Sequence, residues 1–365
     1  MSTLRILHVV TYMGLGGLET MLMNYYRKID REKIQFDFLV HRNERAYYDE
    51  EIENLGGRIH RVPKLNPFSK SYKDSLKSFF KAHPEYKIVH VHQDCLSGII
   101  LKVAKEFGVP VRIAHSHSSS QDKNLKYIIK LFYKKYIPKH ATHLLACGKK
   151  AGEWMFSGEK FEILNNAIES SKYTFSPQKR DEVRKALGID DNKFAIGHIG
   201  RFSEPKNHSF LIKIFAEILK ATDALLVLVG DGDLRSNIEA QAKQLGVYNK
   251  ILFLGRRNDV HDIMQAMDVF VLPSKYEGFP VSAVEAQSSG LACLISDKVP
   301  LDCKITDLVW QVPLDSSLEH WANKILEARH YERKSTIDSI KANGFDVEEN
   351  AKKLTDFYFS VSERK

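Results

Sequence analysis

The chain has 365 residues, of which 43% are hydrophobic and 27% are charged, a balance typical of a globular protein with two domains. No apolar run approaches the roughly 20 residues of a membrane-spanning helix, and the first residues lack the pattern of a signal peptide. We therefore expect a cytoplasmic protein. Because the cysteines have no CxxC spacing, we predict buried reduced thiols rather than disulfides or zinc ligands at Cys95, Cys147, Cys293 and Cys303.

The positive charge lies in the first half of the chain. Residues 1–170 hold 27 Lys and Arg against 18 Asp and Glu, a balance of +9, and the total of +8 leaves −1 for residues 171–365. A basic half favours a negatively charged partner: a phosphate-bearing substrate, an anionic membrane or nucleic acid. Since the sequence has no recognisable nucleic-acid-binding motif, we expect no nucleic-acid partner.

Short apolar runs alternate with helix-like segments, which is typical of a parallel sheet covered by helices. In the first half these runs are 4–10, 34–41, 88–92, 111–117 and 143–148. After a polar stretch at 165–180 the rhythm restarts, with runs at 194–200, 225–230, 251–255, 269–274 and 291–296. The pattern predicts an α/β protein of two Rossmann-like, doubly wound domains, residues 1–170 and 171–345, facing each other across a cleft.

A glycine loop, TYMGLGGLET (11–20), follows the first predicted strand. Gly16 and Gly17 would let the backbone approach a ligand closely, and the start of a helix favours anions. The spacing is not that of a dinucleotide fingerprint. A plain glycine-rich turn between strand and helix explains the loop equally well.

Two cations follow the first strand of the second half. Arg201 and Lys206 lie in GHIGRFSEPKNHSF (197–210), and Asn207 is a candidate cap for the next helix. A forked guanidinium and a point-charge ammonium at one strand end suit a diphosphate. The alternative is a pair of solvated surface cations.

The most specific motif is LPSKYEGFPVSAVEAQSSG (272–290), in which Glu277 and Glu285 are eight positions apart. We predict that Pro280 is the first residue of a helix and that Glu285 lies inside it. There a carboxylate can accept hydrogen bonds from the vicinal hydroxyls of a ribose. Free backbone amides at the helix start, at Gly278, Phe279 and Val281, can meet sugar hydroxyls or phosphate oxygens.

This motif resembles the E-x7-E signature of glycosyltransferase family 4, especially of bacterial capsule, exopolysaccharide and lipopolysaccharide enzymes. The resemblance covers essentially the whole chain. It includes the Gly16-Gly17 loop followed by Glu19, the Gly200-Arg201 and Lys206 pair, the Gly230-Asp231-Gly232 turn and Phe253-Leu254-Gly255.

The resemblance implies a GT-B fold and a role for each matched residue. Arg201 and Lys206 would neutralise the donor diphosphate, and Glu285 would bind the ribose. Glu277, with the amides of Gly278 and Phe279, would hold the transferred sugar. The backbone around Leu254 and Gly255 would contact the nucleobase. Gly16 and Gly17 would approach the phosphates or the acceptor.

The resemblance also implies a retaining, metal-independent reaction with no cofactor. The donor would be a nucleotide sugar, which we expect to be a UDP-sugar. The acceptor would be a glycan or a lipid-diphosphate-linked sugar. Family members usually carry a histidine at the end of the strand AHSHSSS (114–120). We take His117 as the catalytic candidate, while His115 competes for the same part.

The segment 123–140 is a candidate membrane contact. Lys126, Lys130 and Lys134 would share one helix face, with Ile128, Leu131, Phe132 and Tyr136 opposite. Such a basic amphipathic helix can lie on anionic lipid, which would make the protein peripheral on the inner face of the plasma membrane. It can equally pack its apolar face on the sheet and leave its lysines in solvent.

By analogy with GT-B proteins, a helix at 346–365 would return to the first domain. Two other functions remain open on the sequence: a nucleotide-sugar epimerase of the same architecture, and a non-catalytic partner of another transferase. The intact set of Arg201, Lys206, Glu277 and Glu285 argues against both.

Overall fold

The computed structural model describes residues 3–118 and 126–363, and these form two compact units. Unit 1 comprises Met1–Ala167 together with Asp346–Lys365, and unit 2 comprises Ile168–Phe345. The carboxyl-terminal segment is thus part of unit 1, where its helix packs on the first helix. Each unit contains one parallel β-sheet with helices, the doubly wound class predicted from the alternating runs.

Unit 1 has seven strands in the order β3-β2-β1-β4-β5-β6-β7. The strands are β1 (Leu4–Val10), β2 (Ile34–Val40), β3 (Ile59–Arg61), β4 (Ile88–Val91), β5 (Val111–Ser116), β6 (His143–Ala146) and β7 (Glu162–Ile163). The helices are α1 (Gly17–Lys28), α2 (Asp49–Asn54), α3 (Lys70–Ala82), α4 (Ser97–Glu106), α5 (Lys126–Lys134), α6 (Ile137–His140), α7 (Lys149–Phe156) and, at the chain end, α16 (Val347–Glu363).

Unit 2 has six strands in the order β10-β9-β8-β11-β12-β13. They are β8 (Phe194–Ile199), β9 (Ala224–Val229), β10 (Ile251–Phe253), β11 (Val269–Leu272), β12 (Ala292–Ser296) and β13 (Val309–Val312). Its helices are α8 (Ser170–Tyr173), α9 (Pro177–Leu187), α10 (His208–Ile218), α11 (Arg235–Gln244), α12 (Val260–Ala266), α13 (Val281–Ser288), α14 (Leu318–Glu327) and α15 (Ile337–Ala342).

The central strands are buried on both faces, which explains their continuous apolar runs. All six residues of β9 and all four of β11 are buried. The four cysteines are buried free thiols, as predicted. In both units the strand order reverses beside the first strand, between β1 and β4 and between β8 and β11. Ligands of open α/β sheets bind at the carboxyl ends of strands at such a switch point.

Candidate functional site

The predicted cations and the first predicted acid lie at the switch point of unit 2. Arg201 and Lys206 follow β8, and Glu277 follows β11, the strand that pairs with β8. Backbone contacts join the two loops, because the amide of Lys275 donates to the carbonyl of Pro205 at 2.8 Å. The predicted convergence of the two motifs is therefore found at one edge of one sheet.

Lys206 and Glu277 form an ion pair in which the lysine Nζ lies 2.7 Å from Glu277 Oε1. Their side chains are 20% and 10% exposed, so the pair is largely shielded from water. The hydroxyl of Ser274 donates to the same oxygen at 2.6 Å. This contact fixes the carboxylate beside the ammonium and excludes the interpretation of Lys206 as a solvated surface cation.

Arg201 differs from Lys206 in its surroundings. Its side chain is 68% exposed, and its Nη2 lies 3.1 Å from Asp233 Oδ2 in the loop after β9. An exposed pair of this kind contributes little to stability. The guanidinium thus remains accessible to a ligand at the end of β8.

The loop after β9 is held close to the loop after β8 by glycine. Gly230 has a φ of +134°, and a Cβ there would lie 2.1 Å from the carbonyl oxygen of Gly200. Only glycine tolerates both conditions. Asp231-Gly232-Asp233 follows β9 as a loop.

Glu285 lies within α13, as predicted, and its Oε1 accepts a hydrogen bond from the Tyr173 hydroxyl at 2.7 Å. Burial raises the pKa of Glu285, and the Tyr173 hydrogen bond opposes this shift. The carboxylate has a protein partner on one oxygen and lies on the helix that begins just after Glu277. Its placement fits an acceptor for hydroxyl groups.

Two details of the α13 start differ from the prediction. Pro280 is the cap residue, and the helix begins at Val281. The amide of Val281 is not free, because it donates to the carbonyl of Phe279 at 3.1 Å. Within residues 3–118 and 126–363, no group accepts from the amides of Gly278 and Phe279. The amides of Gly278 and Phe279 can therefore donate to a ligand, as predicted. The amide of Val281, which was predicted to be free, cannot.

Asn207 also differs from its predicted role. It stands at the cap position of α10 in a left-handed conformation, with a φ of 57°, but its side chain makes no capping hydrogen bond. The side-chain amide instead donates to the carbonyl of Pro273 at 3.1 Å. Asn207 therefore ties the loop after β8 to the end of β11.

Leu254 and Gly255 follow β10, next to β9 in the sheet. The amide of Leu254 donates to Leu228, and the carbonyl of Gly255 accepts from Gly230. Gly255 has a φ of +66°, a left-handed conformation that favours glycine. These backbone bonds hold the turn against the β9 end, on the far side of β8 from Glu277.

In unit 1, Gly16 caps α1 and Gly17 is its first residue. A Cβ on Gly17 would meet no atom within 4 Å, whereas one on Gly16 would lie 2.3 Å from the Glu19 carboxylate. A Cβ on Gly16 would displace the Glu19 carboxylate, whereas Gly17 borders open space. Burial raises the pKa of Glu19 to about 7.

The two candidate histidines occupy different positions. His115 lies inside β5 and is buried, whereas His117 follows the strand and is half-buried. The ring of His117 contacts His92, with Nε2 2.9 Å from His92 Nδ1. Burial lowers the pKa of His117 to about 3, so its imidazole is neutral near pH 7. The position of His117 at the strand end agrees better with the predicted part.

The segment 123–140 is described from Lys126, with residues 123–125 and the side chain of Lys126 outside the described part. The predicted apolar face is only partly packed, because Leu131 and Tyr136 are half-buried while Ile128 and Phe132 are exposed. Lys130 is half-buried 3.9 Å from Asp94, and Lys134 is half-buried over the ring of Trp154. Ile128 is 74% exposed and Phe132 54%. Among the described residues, no helix combines the length and apolar character needed to cross a bilayer.

Sequence reasoning missed two residues of the unit 2 site. Ser274 lies two residues after the end of β11 and three residues before Glu277, inside the 272–290 motif. Its position in the sequence could therefore have indicated the contact with Glu277. Tyr173 lies in α8, in the polar stretch 165–180 that separates the two sets of apolar runs, 112 positions before Glu285. Nothing in the local sequence around Tyr173 indicates that contact.

Two family models match the chain, one in each half. The model described as Glycosyltransferase Family 4 matches residues 15–172, and that described as Glycosyl transferases group 1 matches residues 179–334. The two matches cover the glycine loop and the E-x7-E motif, respectively.

Relatives and solved structures match over the full length. EpsF of Bacillus subtilis, a glycosyltransferase by name, is 38% identical over 100% of this chain and 98% of its own. The UDP-Gal:alpha-D-GlcNAc-diphosphoundecaprenol alpha-1,3-galactosyltransferase of Escherichia coli is 26% identical over 99% and 98%. HepE of Anabaena, solved in complex with UDP and glucose, superposes with a TM-score of 0.80 at 18% identity, covering 98% of this chain and 100% of HepE. This last likeness supports the GT-B fold.

Proposed function

This chain belongs to glycosyltransferase family 4, and we propose that it transfers a sugar from UDP, with retention of configuration, to a glycan or lipid-diphosphate-linked acceptor. The reaction would serve bacterial surface polysaccharide synthesis. The single observation that carries the proposal is the Lys206–Glu277 pair at the switch point of unit 2, with Arg201 at the same strand end.

The pair explains how a charged donor can be accommodated without a metal ion. Lys206 and Arg201 bring two positive charges to one strand end, which suits the two negative charges of the donor diphosphate and the further negative charge that develops on it as it leaves. The amides of Gly278 and Phe279 add uncharged donors beside Glu277. We propose that these groups replace Mg²⁺ and that no cofactor takes part.

The chemistry requires one bond exchange at the anomeric carbon. The bond from that carbon to the diphosphate oxygen breaks, and a bond to the acceptor oxygen forms on the same face. The acceptor proton passes to the departing phosphate oxygen. Glu277 would support the positive charge on the sugar ring, Glu285 would hold the ribose, and His117 would lie near the transferred sugar.

The donor and acceptor classes draw support from the relatives. HepE was solved with UDP and glucose, and the Escherichia coli relative is named for UDP-galactose and a diphosphoundecaprenol-linked acceptor. We propose UDP as the carrier for this chain and a lipid-diphosphate glycan as its acceptor. An epimerase or a non-catalytic partner would not need the complete set of cations and acids found in unit 2.

A lipid-linked acceptor requires contact with a membrane surface, and α5 is the proposed contact. Ile128 and Phe132 are one helical turn apart and exposed, and Lys135 and Lys139 are exposed nearby. Apolar side chains flanked by lysines suit the headgroup region of an anionic bilayer. We propose a cytoplasmic protein bound peripherally to the inner face of the plasma membrane.

The proposed function is tested by a panel of nucleotide sugars in the presence of EDTA. Thermal shift identifies the donors that bind, and transfer is then assayed with diphosphoundecaprenol-linked sugars. We expect an α-linked product from an α-configured UDP-sugar, seen by NMR. Free epimer without acceptor would support the epimerase instead, and no binding of any nucleotide sugar would support the non-catalytic partner.

A further inference from the structure

Asp94 has a backbone conformation that is unusual for a residue with a side chain. Its φ is 51°, in the left-handed region. Among the described residues, Ser157 and Asn207 are the other non-glycine residues with positive φ, and both lie at helix caps. Asp94 instead lies three residues after the end of β4, at the switch point of the unit 1 sheet. Such conformations cluster at ligand-binding sites, and this one lies at the edge of the sheet where a ligand is expected.

The carboxylate of Asp94 has little hydrogen bonding within the protein. Oδ1 is buried and has no hydrogen-bond partner among the described residues. Oδ2 lies 3.9 Å from Nζ of Lys130 in α5, which is too far for a hydrogen bond. The buried Asp49 of the same unit differs, because its Oδ2 accepts from the amide of Ala46 and from Arg61. The side chain of Asp94 is 29% exposed, and since Oδ1 is buried, Oδ2 is the oxygen that a ligand can reach.

Asp94 carries a negative charge near pH 7 although it is partly buried. Burial raises the pKa of Asp94 to about 6, and Lys130, the amide of Cys95 and Lys134 oppose this rise. Both lysines belong to α5, which packs on the short turn Asp94–Leu96. The first turn of α4, which follows, has no charged side chain, and burial raises the pKa of the Cys95 thiol to about 12, so that thiol is neutral. Asp94 therefore presents a carboxylate at the carboxyl end of β4.

Asp94 lies close to the histidine that the proposed transfer uses. His92 precedes it by two residues, a span of at most about 7 Å, and Nδ1 of His92 lies 2.9 Å from Nε2 of His117. The loop after β1 reaches the same place, because the Thr11 hydroxyl donates to the side-chain oxygen of Gln93 at 3.1 Å. An acceptor that attacks a sugar near His117 would therefore have its own ring within reach of Asp94.

We propose that the carboxylate of Asp94 binds a hydroxyl group of the acceptor sugar and so selects the acceptor. This inference rests on the proposed transfer and adds an acceptor-binding residue to it. The bound hydroxyl donates to Oδ2 and is a neighbour of the attacking one, because the proton of the attacking hydroxyl passes to the departing phosphate oxygen. A hydrogen bond to an ionised group is stronger than one between neutral groups, and a site built for a hydroxyl rejects an analogue that lacks it.

The test compares Asp94→Asn with the wild type as full chains. Asparagine has the size of aspartate and tolerates the left-handed conformation as well, so the substitution removes the charge alone. The assay uses saturating UDP-sugar and a water-soluble, short-chain analogue of the lipid-linked acceptor, so that membrane binding does not contribute. We expect kcat/KM for the acceptor to fall by about tenfold or more. The Kd for UDP and the hydrolysis of the donor by water should not change, because Arg201 and Lys206 belong to unit 2.

A series of acceptors, each lacking one hydroxyl, separates recognition from a structural effect. With the wild type, removal of the bound hydroxyl should cost about as much as Asp94→Asn does, and the variant should use that deoxy acceptor as well as the wild type. Every other deoxy acceptor should show the full difference between the two proteins. A constant ratio of the two activities across the series would overturn the proposal, as would wild-type activity of Asp94→Asn with the complete acceptor.

Lys130→Met provides a second variant and a second readout, because Lys130 lowers the pKa of Asp94. Transfer to the soluble acceptor should decline as the pH falls and Asp94 is protonated, and without Lys130 this decline should begin at a higher pH. Lys102→Met is the matched control, since Lys102 lies in α4 with its Nζ likewise 3.9 Å from an acid, Glu106. Identical pH profiles for the two lysine variants would contradict the proposal. Failure of the proposed function itself would appear differently, as a wild type that transfers to no acceptor.

Discussion

Nζ of Lys206 lies 2.7 Å from Oε1 of Glu277, across the switch point of the unit 2 sheet. The two residues are 71 positions apart, in loops after β8 and β11. In the absence of a donor, the two opposite charges neutralise each other, and both side chains are largely shielded from water. A bound diphosphate would recruit the ammonium, while the carboxylate would turn to the sugar. The pair thus keeps both charged groups in place before the substrate arrives.

The pair should be energetically coupled. Lys206→Met leaves the carboxylate of Glu277 shielded from water without its cation, and we expect a loss of about 1–3 kcal/mol in the free energy of unfolding. Adding Glu277→Gln to Lys206→Met should restore part of this loss, because it removes the unpaired charge. Urea unfolding of both single variants and the double variant measures the coupling.

The exposed pair Lys275–Glu204 in the same loops provides the control cycle. Its coupling should not exceed about 1 kcal/mol. Equal coupling in the two pairs would contradict the shielded character assigned to Lys206 and Glu277.

Donor binding should depend on pH through Glu285. Burial raises the pKa of this carboxyl group, so lowering the pH neutralises it earlier than an exposed glutamate. A neutral carboxyl accepts hydrogen bonds from the ribose more weakly. Donor affinity should therefore fall as the pH decreases through the raised pKa of Glu285.

Tyr173→Phe provides the sharper version of this test. The Tyr173 hydroxyl opposes the rise in the pKa of Glu285, so its removal should raise that pKa further and move the loss of affinity to higher pH. Calorimetric titration with UDP from pH 5 to 8 follows both profiles. Superimposable profiles for the two proteins would exclude Glu285 as the titrating group.

Gly17 and Gly230 should respond differently to alanine. Open space surrounds a Cβ on Gly17, and alanine favours a helix, so Gly17→Ala should keep or raise the melting temperature. It should lower kcat/KM for transfer by about tenfold or more, because the methyl group displaces the ligand from the backbone. Gly230→Ala should lower the melting temperature, since its Cβ would lie 2.1 Å from the Gly200 oxygen. Full activity in Gly17→Ala would exclude a ligand contact there.

Membrane binding should depend on the exposed apolar pair of α5. The double variant Ile128→Ser and Phe132→Ser should pellet less with vesicles of anionic lipid than the wild type, and the wild type should bind less as salt increases. Leu301→Ser is the control, since Leu301 is 51% exposed and lies in unit 2. Absence of wild-type binding at low salt, or equal loss in the control, would contradict the proposed contact.

The sequence predicted the central strands well and the sheet edges poorly. All ten predicted runs contain a strand, whereas β3, β7 and β13 were missed. These three lie at sheet edges, with three, two and four residues. Short edge strands such as Glu162–Ile163 are exposed and carry no continuous apolar run, so local patterning contains too little information to identify them.

The residues of the candidate site divide in the same way: local sequence identifies some of them, and others depend on tertiary packing. Motif spacing identified Lys206, Glu277 and Glu285, because each lies directly after a recognisable strand or inside the following helix. The Tyr173–Glu285 contact depends on how α8 packs against α13, which no local pattern encodes. Helical periodicity likewise separated the two faces of α5, but it did not predict that Lys134 packs over Trp154 or that Ile128 is exposed.

The most direct test of the central claim is calorimetric measurement of UDP binding, without metal, to the wild type, Lys206→Ala and Lys275→Ala. Both lysines lie in the two joined loops, but Lys275 is exposed and pairs with Glu204. We predict that UDP binds the wild type in EDTA, that Lys206→Ala weakens binding by about tenfold or more, and that Lys275→Ala binds as the wild type does. Unchanged UDP affinity in folded Lys206→Ala would contradict the assignment of the donor diphosphate to this site.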